Sequence, residues 1–125
     1  MGSILVVDDE PDIRVLVKSM LTRAGHVADV ATDGRDALRI LAGASYDLLI
    51  VDMAMPDMDG METIKQVRRR SAKLPILAMT GSGSGSGGHS TARILDAANA
   101  TGATAHLAKP FRRDEFLAVV ASLLP

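Results

Sequence analysis

Asp47-Leu48-Leu49-Ile50-Val51-Asp52 is the stretch on which the fold of this chain turns. An unbroken aliphatic run of this length reads as a strand buried on both faces, the pattern of a parallel sheet covered by helices. Ser3-Ile4-Leu5-Val6-Val7-Asp8 repeats the pattern upstream, and residues 103–108 repeat it near the end. The first run closes on Asp8 and Asp9, the middle one on Asp52, and the last is followed by Lys109 and Pro110.

Working outward, short apolar runs alternate with segments of helical period. From Pro11, the residues Ile13, Leu16, Val17, Met20 and Leu21 recur at helical spacing, and Gly25 is the stop. Val27 to Ala31 reads as a weaker second strand, Asp33-Gly34 as a turn, and Ala37, Leu38 and Leu41 as a second helix ending near Gly43. A Pro/Asp/Gly-rich loop, Met55 to Gly60, leads to a third helix carrying Ile64 and Val67. Pro75 opens a fourth strand, Ile76 to Thr80, and a Gly/Ser tract precedes a helix near Thr91 to Ala100 that Gly102 stops. After the fifth strand, Phe116, Leu117, Val120, Leu123 and Leu124 stripe a last helix. Helices between strands force parallel pairing, so the expected fold is α/β, a doubly wound (βα)5 sheet of five parallel strands. Sites in such sheets lie beyond the carboxyl ends of the strands, where strand order reverses. Asp8, Asp9, Asp52, Thr80 and Lys109 all fall at or just past such ends.

Composition bounds the function. A chain of 125 residues reads as one domain, 1–125, and is long enough to bury a core that, at 2% aromatic and 47% hydrophobic residues, must be aliphatic. Fourteen basic against fifteen acidic residues argue against direct nucleic-acid binding. Cysteine is absent, which removes disulfide and thiol chemistry and fits a reducing compartment. No apolar stretch approaches the ~20 residues of a membrane span, the start lacks a signal-peptide pattern, and Val6 breaks the myristoylation pattern. A soluble, cytoplasmic protein is the expectation.

Clustered carboxylates need a cause. Two charges 4 Å apart repel by roughly 4 kcal/mol at an effective dielectric of ~20. Three acids brought to one sheet edge must protonate, splay apart or hold a cation. The plainer reading is that Asp8 and Asp9 cap the first helix, and that Asp59 is a cap or turn residue. Lys109 alone would be a solvated lysine, and Thr80 alone a β-branched strand residue.

Taken together, Asp8-Asp9-Glu10, Asp52 with Met55-Pro56 and Asp59-Gly60, Thr80, and Lys109-Pro110-Phe111 resemble the receiver domain of two-component response regulators, chemotaxis-regulator-like in its single-domain form. The resemblance runs from Ile4 to the last helix. It implies a flavodoxin-like sheet of strand order 2-1-3-4-5. It implies that Asp52 accepts a phosphoryl group from a phosphohistidine on a sensor histidine kinase or phosphotransfer protein. Asp9 would bind Mg²⁺ directly (Mn²⁺ being the alternative ion), Asp8 directly or through water, with Asp52 and the backbone carbonyl of Ala54 completing the protein ligands. Thr80 would donate its hydroxyl to one phosphoryl oxygen and Lys109 would pair with another. Receiver domains commonly hold this Lys-Pro bond in cis. The elementary chemistry agrees: Mg²⁺ takes one or two carboxylates with water and phosphate oxygens, and phosphoryl transfer needs positioning and charge neutralisation.

The chain departs from the family pattern at two places. His106 stands where receivers carry Tyr or Phe as a switch residue, so either the switch works with an imidazole or His106 is a surface histidine on an edge strand. The tract Gly81-Ser82-Gly83-Ser84-Gly85-Ser86-Gly87-Gly88 makes the Thr80–Lys109 interval longer than usual, and loop 81–88 is expected to be a flexible coil with ends roughly 16 Å apart. Gly83, Gly85 and Gly88 match a dinucleotide fingerprint by form only, since the following strand carries no acid, and the tract is no P-loop. His26 reads as a solvated turn residue; with His89 and His106 it shows no zinc spacing. Arg68-Arg69-Arg70 reads as cations at a helix C-terminus, with a partner contact as the alternative.

The reading that results is a stand-alone response regulator with no output domain. It signals to a downstream protein through the fourth helix, fifth strand and fifth helix, with no contact to nucleic acid or membrane. A phosphorelay shuttle would carry the same site. A Mg²⁺-dependent phosphohydrolase of the haloacid-dehalogenase type needs a second Asp two residues after the nucleophile, where this chain has Ala54. A receiver that folds without switching, serving as a scaffold, is the third alternative. By the resemblance, Ala54 and Ser82 flank the path of the attacking water, and as both are small the adduct is expected to be open to hydrolysis; the oligomeric state is either a monomer or a phosphorylation-linked dimer.

Overall fold

The structure is a computed structural model and describes residues 2–53, 60–80 and 102–125. In chain order these form β1 (Ser3–Val7), α1 (Pro11–Arg23), β2 (Val27–Ala31), α2 (Gly34–Gly43), β3 (Leu48–Asp52), α3 (Gly60–Arg70), β4 (Ile76–Thr80), β5 (Ala105–Ala108) and a C-terminal helix (Arg113–Leu123). Ala54, Met55 to Asp59, the Gly/Ser tract 81–88 with Ser82, and the helix expected near residues 91–100 with His89 before it lie outside the described residues.

The five strands are all parallel, in the order β2-β1-β3-β4-β5, as expected. The order reverses between β1 and β3, so the chain winds outward in both directions from that seam. β1, β3 and β4 are buried almost throughout because helices cover both faces. Side chains alternate between those faces. Ile4, Val6, Leu48, Ile50, Leu77 and Met79 pack with Val17, Leu21, Phe116 and Val120 of α1 and the C-terminal helix. Leu5, Val7, Leu49, Val51, Ile76 and Ala78 pack with Ala37, Ile64 and Val67 of α2 and α3. Burying each of the Val, Leu, Ile, Met and Phe side chains among these is worth about 1.5–3 kcal/mol, and the central strands β1, β3 and β4 carry most of them.

Some boundaries and faces differ from the sequence reading. β1 stops at Val7, β3 starts at Leu48, and β5 starts at Ala105 rather than Ala103. The last shift has a local cause: Gly102 turns the chain with φ +128°, a conformation that costs other residues strain. On α1, Leu16 is half exposed and Val15 more so, because the sheet covers only the side of the helix that carries Val17, Met20 and Leu21. Asp33, read as a turn residue, is the N-cap of α2, its carboxylate accepting from the Asp36 N–H at 2.8 Å. His26 is half-buried rather than solvated, and its Nδ1 accepts from the Gly2 N–H at 3.1 Å.

Arg68 is the largest departure. Its guanidinium turns inward and donates to the carbonyls of Leu74 (2.6 Å), Gly102 (2.8 Å) and Ser71 (3.2 Å), and to the Thr104 hydroxyl (3.3 Å). The Thr104 hydroxyl in turn accepts from the Ile76 N–H at 3.0 Å. One cation therefore ties the end of α3 to the entries of β4 and β5. A Cβ on Gly102 would lie 2.8 Å from Arg68 Cγ, so glycine is required there for space as well. Burial pushes the Arg68 pKa below its usual value, and the carbonyl dipoles offset that desolvation. Arg68→Met is expected to lower stability by about 2–3 kcal/mol in urea titration, since it leaves several carbonyls short of a charged donor. A loss under about 0.5 kcal/mol, the scale of an ordinary surface substitution, would mean the bonds are incidental.

Candidate phosphoryl-acceptor site

The site lies at the carboxyl edge of the seam. Asp8 and Asp9 follow β1, Asp52 ends β3, Thr80 ends β4, and Lys109 follows β5. Asp8, Asp52 and Lys109 each continue the alternation of Val6, Ile50 and Leu107, so all three emerge toward the face covered by α1 and the C-terminal helix.

Carboxylate oxygens of Asp8, Asp9 and Asp52 lie within 4.8 Å of one another. Asp8 is fully buried, Asp52 nearly so, and Asp9 half-buried. The Lys109 ammonium sits 3.3 Å from Asp8 Oδ2 and 3.9 Å from Asp52 Oδ2. Lys109 thus meets Asp8 and Asp52, and the third acid, Asp9, is the half-exposed member. The donors are all hard carboxylate oxygens with one half-exposed member, which suits Mg²⁺ and leaves it room for water or phosphate oxygens.

Each residue is set by its neighbours. Neither Asp8 nor Asp9 is the N-cap of α1: that position is Glu10, and Pro11 opens the helix. Asp8 Oδ1 accepts from the Glu10 N–H at 2.9 Å, which turns the carboxylate back over the start of α1. Lys109 is followed by a cis Lys109–Pro110 bond, as the resemblance implied. The Phe111 ring stacks on Phe116, centroids 5.1 Å apart, which anchors the segment after Lys109 to the C-terminal helix. Gly60, at the start of α3, lies so close under β3 that a Cβ would stand 2.6 Å from the Asp52 carbonyl oxygen and from Met53 Cα.

Thr80 holds a different clue. It is buried, and its Oγ1 has no hydrogen-bond partner among the described residues. A buried hydroxyl without a partner costs on the order of 1–3 kcal/mol, so its persistence points to a group that arrives later. Asp52 pairs in register with Met79, which puts Thr80 one residue beyond, on the strand beside the acid. The Thr80 carbonyl accepts the Lys109 N–H at 2.8 Å, coupling the two strand ends directly. His106 is exposed on β5, three residues before Lys109 and paired with Ala78. Asp8, Asp9, Asp52, Thr80 and Lys109 are therefore brought to one edge, while Ala54 lies outside the described residues.

Comparison with known proteins gives a consistent answer. The family model of the response regulator receiver domain matches residues 4–121. The chain is 38% identical over 122 residues to the transcriptional regulatory protein TcrA of Mycobacterium tuberculosis, covering 96% of this chain and 45% of TcrA. It spans about half the length or less of the full-length regulators it matches. Chemotaxis protein CheY4 of Vibrio cholerae superposes with a TM-score of 0.88 at 34% identity, covering 99% of both chains. Response regulator protein TrrA of Thermotoga maritima, solved in complex with Mg(2+)-BeF, superposes with a TM-score of 0.84 at 35% identity, covering 99% of this chain and 100% of TrrA.

Proposed function

Because the chain belongs to the response regulator receiver domain family, we propose that it accepts a phosphoryl group on Asp52 in a Mg²⁺-dependent reaction and passes the signal to a protein partner by a conformational switch. The observation that carries this reading is the position of Asp52: the end of a central strand, grouped with the carboxylates of Asp8 and Asp9, 3.9 Å from the Lys109 ammonium, and beside a strand whose Thr80 hydroxyl has no hydrogen-bond partner among the described residues. Asp9, Asp8 and Asp52 would hold the ion, with the Ala54 carbonyl as a further ligand. The ion, when bound, neutralises charge on the phosphoryl oxygens. An Asp52 oxygen forms the bond to phosphorus as the donor's P–N bond breaks, and the electron pair leaves with the imidazole. Lys109 meets one phosphoryl oxygen from the other side and Thr80 Oγ–H donates to another.

The switch follows from the same contacts. A Thr80 side chain drawn to the phosphoryl group acts on β5 through its carbonyl, which already holds the Lys109 N–H at 2.8 Å. His106 stands on that strand and is the proposed reporter to the partner face formed by the fourth helix, β5 and the C-terminal helix. The donor would be a sensor histidine kinase or phosphotransfer protein, in the cytoplasm. Among the described residues no helix is long and apolar enough to cross a membrane. We read one receiver unit in these residues, whatever output it acts upon; TcrA, by its name a transcriptional regulator, is about twice as long.

Incubation with acetyl phosphate and Mg²⁺, followed by intact-mass measurement, is expected to add one phosphoryl group, with none added in EDTA. The adduct should decay measurably within hours; one persisting for days would refute open access for water. Many turnovers of phosphomonoesters would instead favour the hydrolase alternative, and no adduct at all the scaffold.

A further inference from the structure

We propose that Arg14 is a positioning residue of the cation site, acting through the backbone of Asp8; the inference rests on the Mg²⁺ reading above. Arg14 stands in the first turn of α1, half-buried, with its own N–H bonded to the Glu10 carbonyl at 3.1 Å. Its guanidinium donates to the Asp8 carbonyl at 2.7 Å. That carbonyl belongs to the peptide joining Asp8 to Asp9, so one bond fixes the plane from which both acids project.

The other polar groups of Asp8 are also committed. Its N–H bonds to the Ala31 carbonyl at 3.2 Å, Oδ1 accepts from the Glu10 N–H at 2.9 Å, and Oδ2 faces Lys109 at 3.3 Å. Arg14 supplies the donor for the one remaining group, the carbonyl. The Asp8–Asp9 corner is thereby set before any ion arrives, and the cost of ordering it does not fall on binding. Partners of this kind, one bond removed from a metal ligand, typically change affinity 10–100-fold when lost.

Arg14 has two opposed effects, and their signs separate. A positive charge at the Asp8 carbonyl repels a divalent ion held by the adjacent acids, so on charge alone its removal would tighten binding. On positioning alone, its removal would loosen binding. We assign the larger effect to positioning.

The test is calorimetric titration of Mg²⁺ into the full chain and its Arg14→Met, Arg14→Lys, Asp9→Asn and Arg68→Met variants, with urea midpoints measured in EDTA. Arg14→Met should bind Mg²⁺ about tenfold more weakly than wild type. Arg14→Lys, which keeps a charged donor, should recover most of that loss. Arg68→Met should lose stability with Mg²⁺ affinity unchanged, which separates positioning from general destabilisation. Equal or tighter binding by Arg14→Met overturns the inference, as does an Arg14→Lys variant no better than Met. If wild type binds no Mg²⁺, or Asp9→Asn binds it equally well, the reading of the site itself falls and the inference with it.

Discussion

Asp52→Asn is expected to fold, to bind Mg²⁺ about tenfold more weakly, and to take up no phosphoryl group from acetyl phosphate. Three acids share this edge, so the choice among them has to be argued. Asp8 is clamped at both carboxylate oxygens, by the Glu10 N–H and by Lys109. Asp9 lies on the loop after β1, with β3 between it and Thr80 on β4. Asp52 alone ends the central strand, beside Thr80 through the Asp52–Met79 register. On the proposed reading, a phosphoryl group on Asp52 would be within reach of Lys109 and of the Thr80 hydroxyl on the neighbouring strand.

The same variant makes a second, independent prediction. Its amide removes one of three mutually repelling charges while Lys109 keeps Asp8 at 3.3 Å. Two like-charge repulsions are relieved, against a weakened attraction to Lys109, which stands 3.9 Å from Asp52 and closer to Asp8. The urea midpoint of Asp52→Asn in EDTA is therefore expected to equal or exceed that of wild type. Phosphoryl uptake surviving in Asp52→Asn would place the nucleophile elsewhere, and a lower midpoint would show that the contacts of the Asp52 carboxylate outweigh the repulsion among the acids.

The sheet was legible because its evidence is local. Ile4 to Val7 and Leu48 to Val51 are continuous aliphatic runs, and in a chain with few aromatics such runs have few other uses. Strand order and the contact of Lys109 with Asp8, 101 residues apart, are not local; they followed from the doubly wound topology and the resemblance. Periodicity placed Leu16 on a helix but could not give the width of the covered stripe. Arg14 and Arg68 escaped because an arginine on a helix reads as a solvated charge. Their acceptors are backbone carbonyls, which carry no sequence signature at all. The Thr80 hydroxyl shows the converse: read alone, the sequence offers a β-branched strand residue, and only the fold reveals it buried without a hydrogen-bond partner among the described residues. His106 keeps both its readings, switch and surface residue, since exposure on β5 suits either.

Lys109→Met should lose about 2 kcal/mol of stability in EDTA, bind Mg²⁺ more tightly, and accept phosphoryl groups about a hundredfold more slowly at saturating Mg²⁺. Removing one partner from a buried ion pair costs about 3–5 kcal/mol. Here the lysine is 19% exposed and Asp9 is half-buried, so water softens the loss to the lower figure. Asp8, wholly buried, loses the ammonium that faces Oδ2, and among the described residues its carboxylate keeps the Glu10 N–H on Oδ1. A divalent ion then becomes the cheapest way to neutralise the cluster, so saturating Mg²⁺ should restore the urea midpoint to near the wild-type value. Uptake falls for a separate reason: the ammonium proposed to meet the developing charge on the phosphoryl oxygens is gone. The three effects have different signs and are measured by denaturation, calorimetry and mass. A variant as stable as wild type in EDTA with unchanged Mg²⁺ affinity would show that Lys109 does not balance the acids; one that accepts phosphoryl groups at the wild-type rate would remove it from the transfer step.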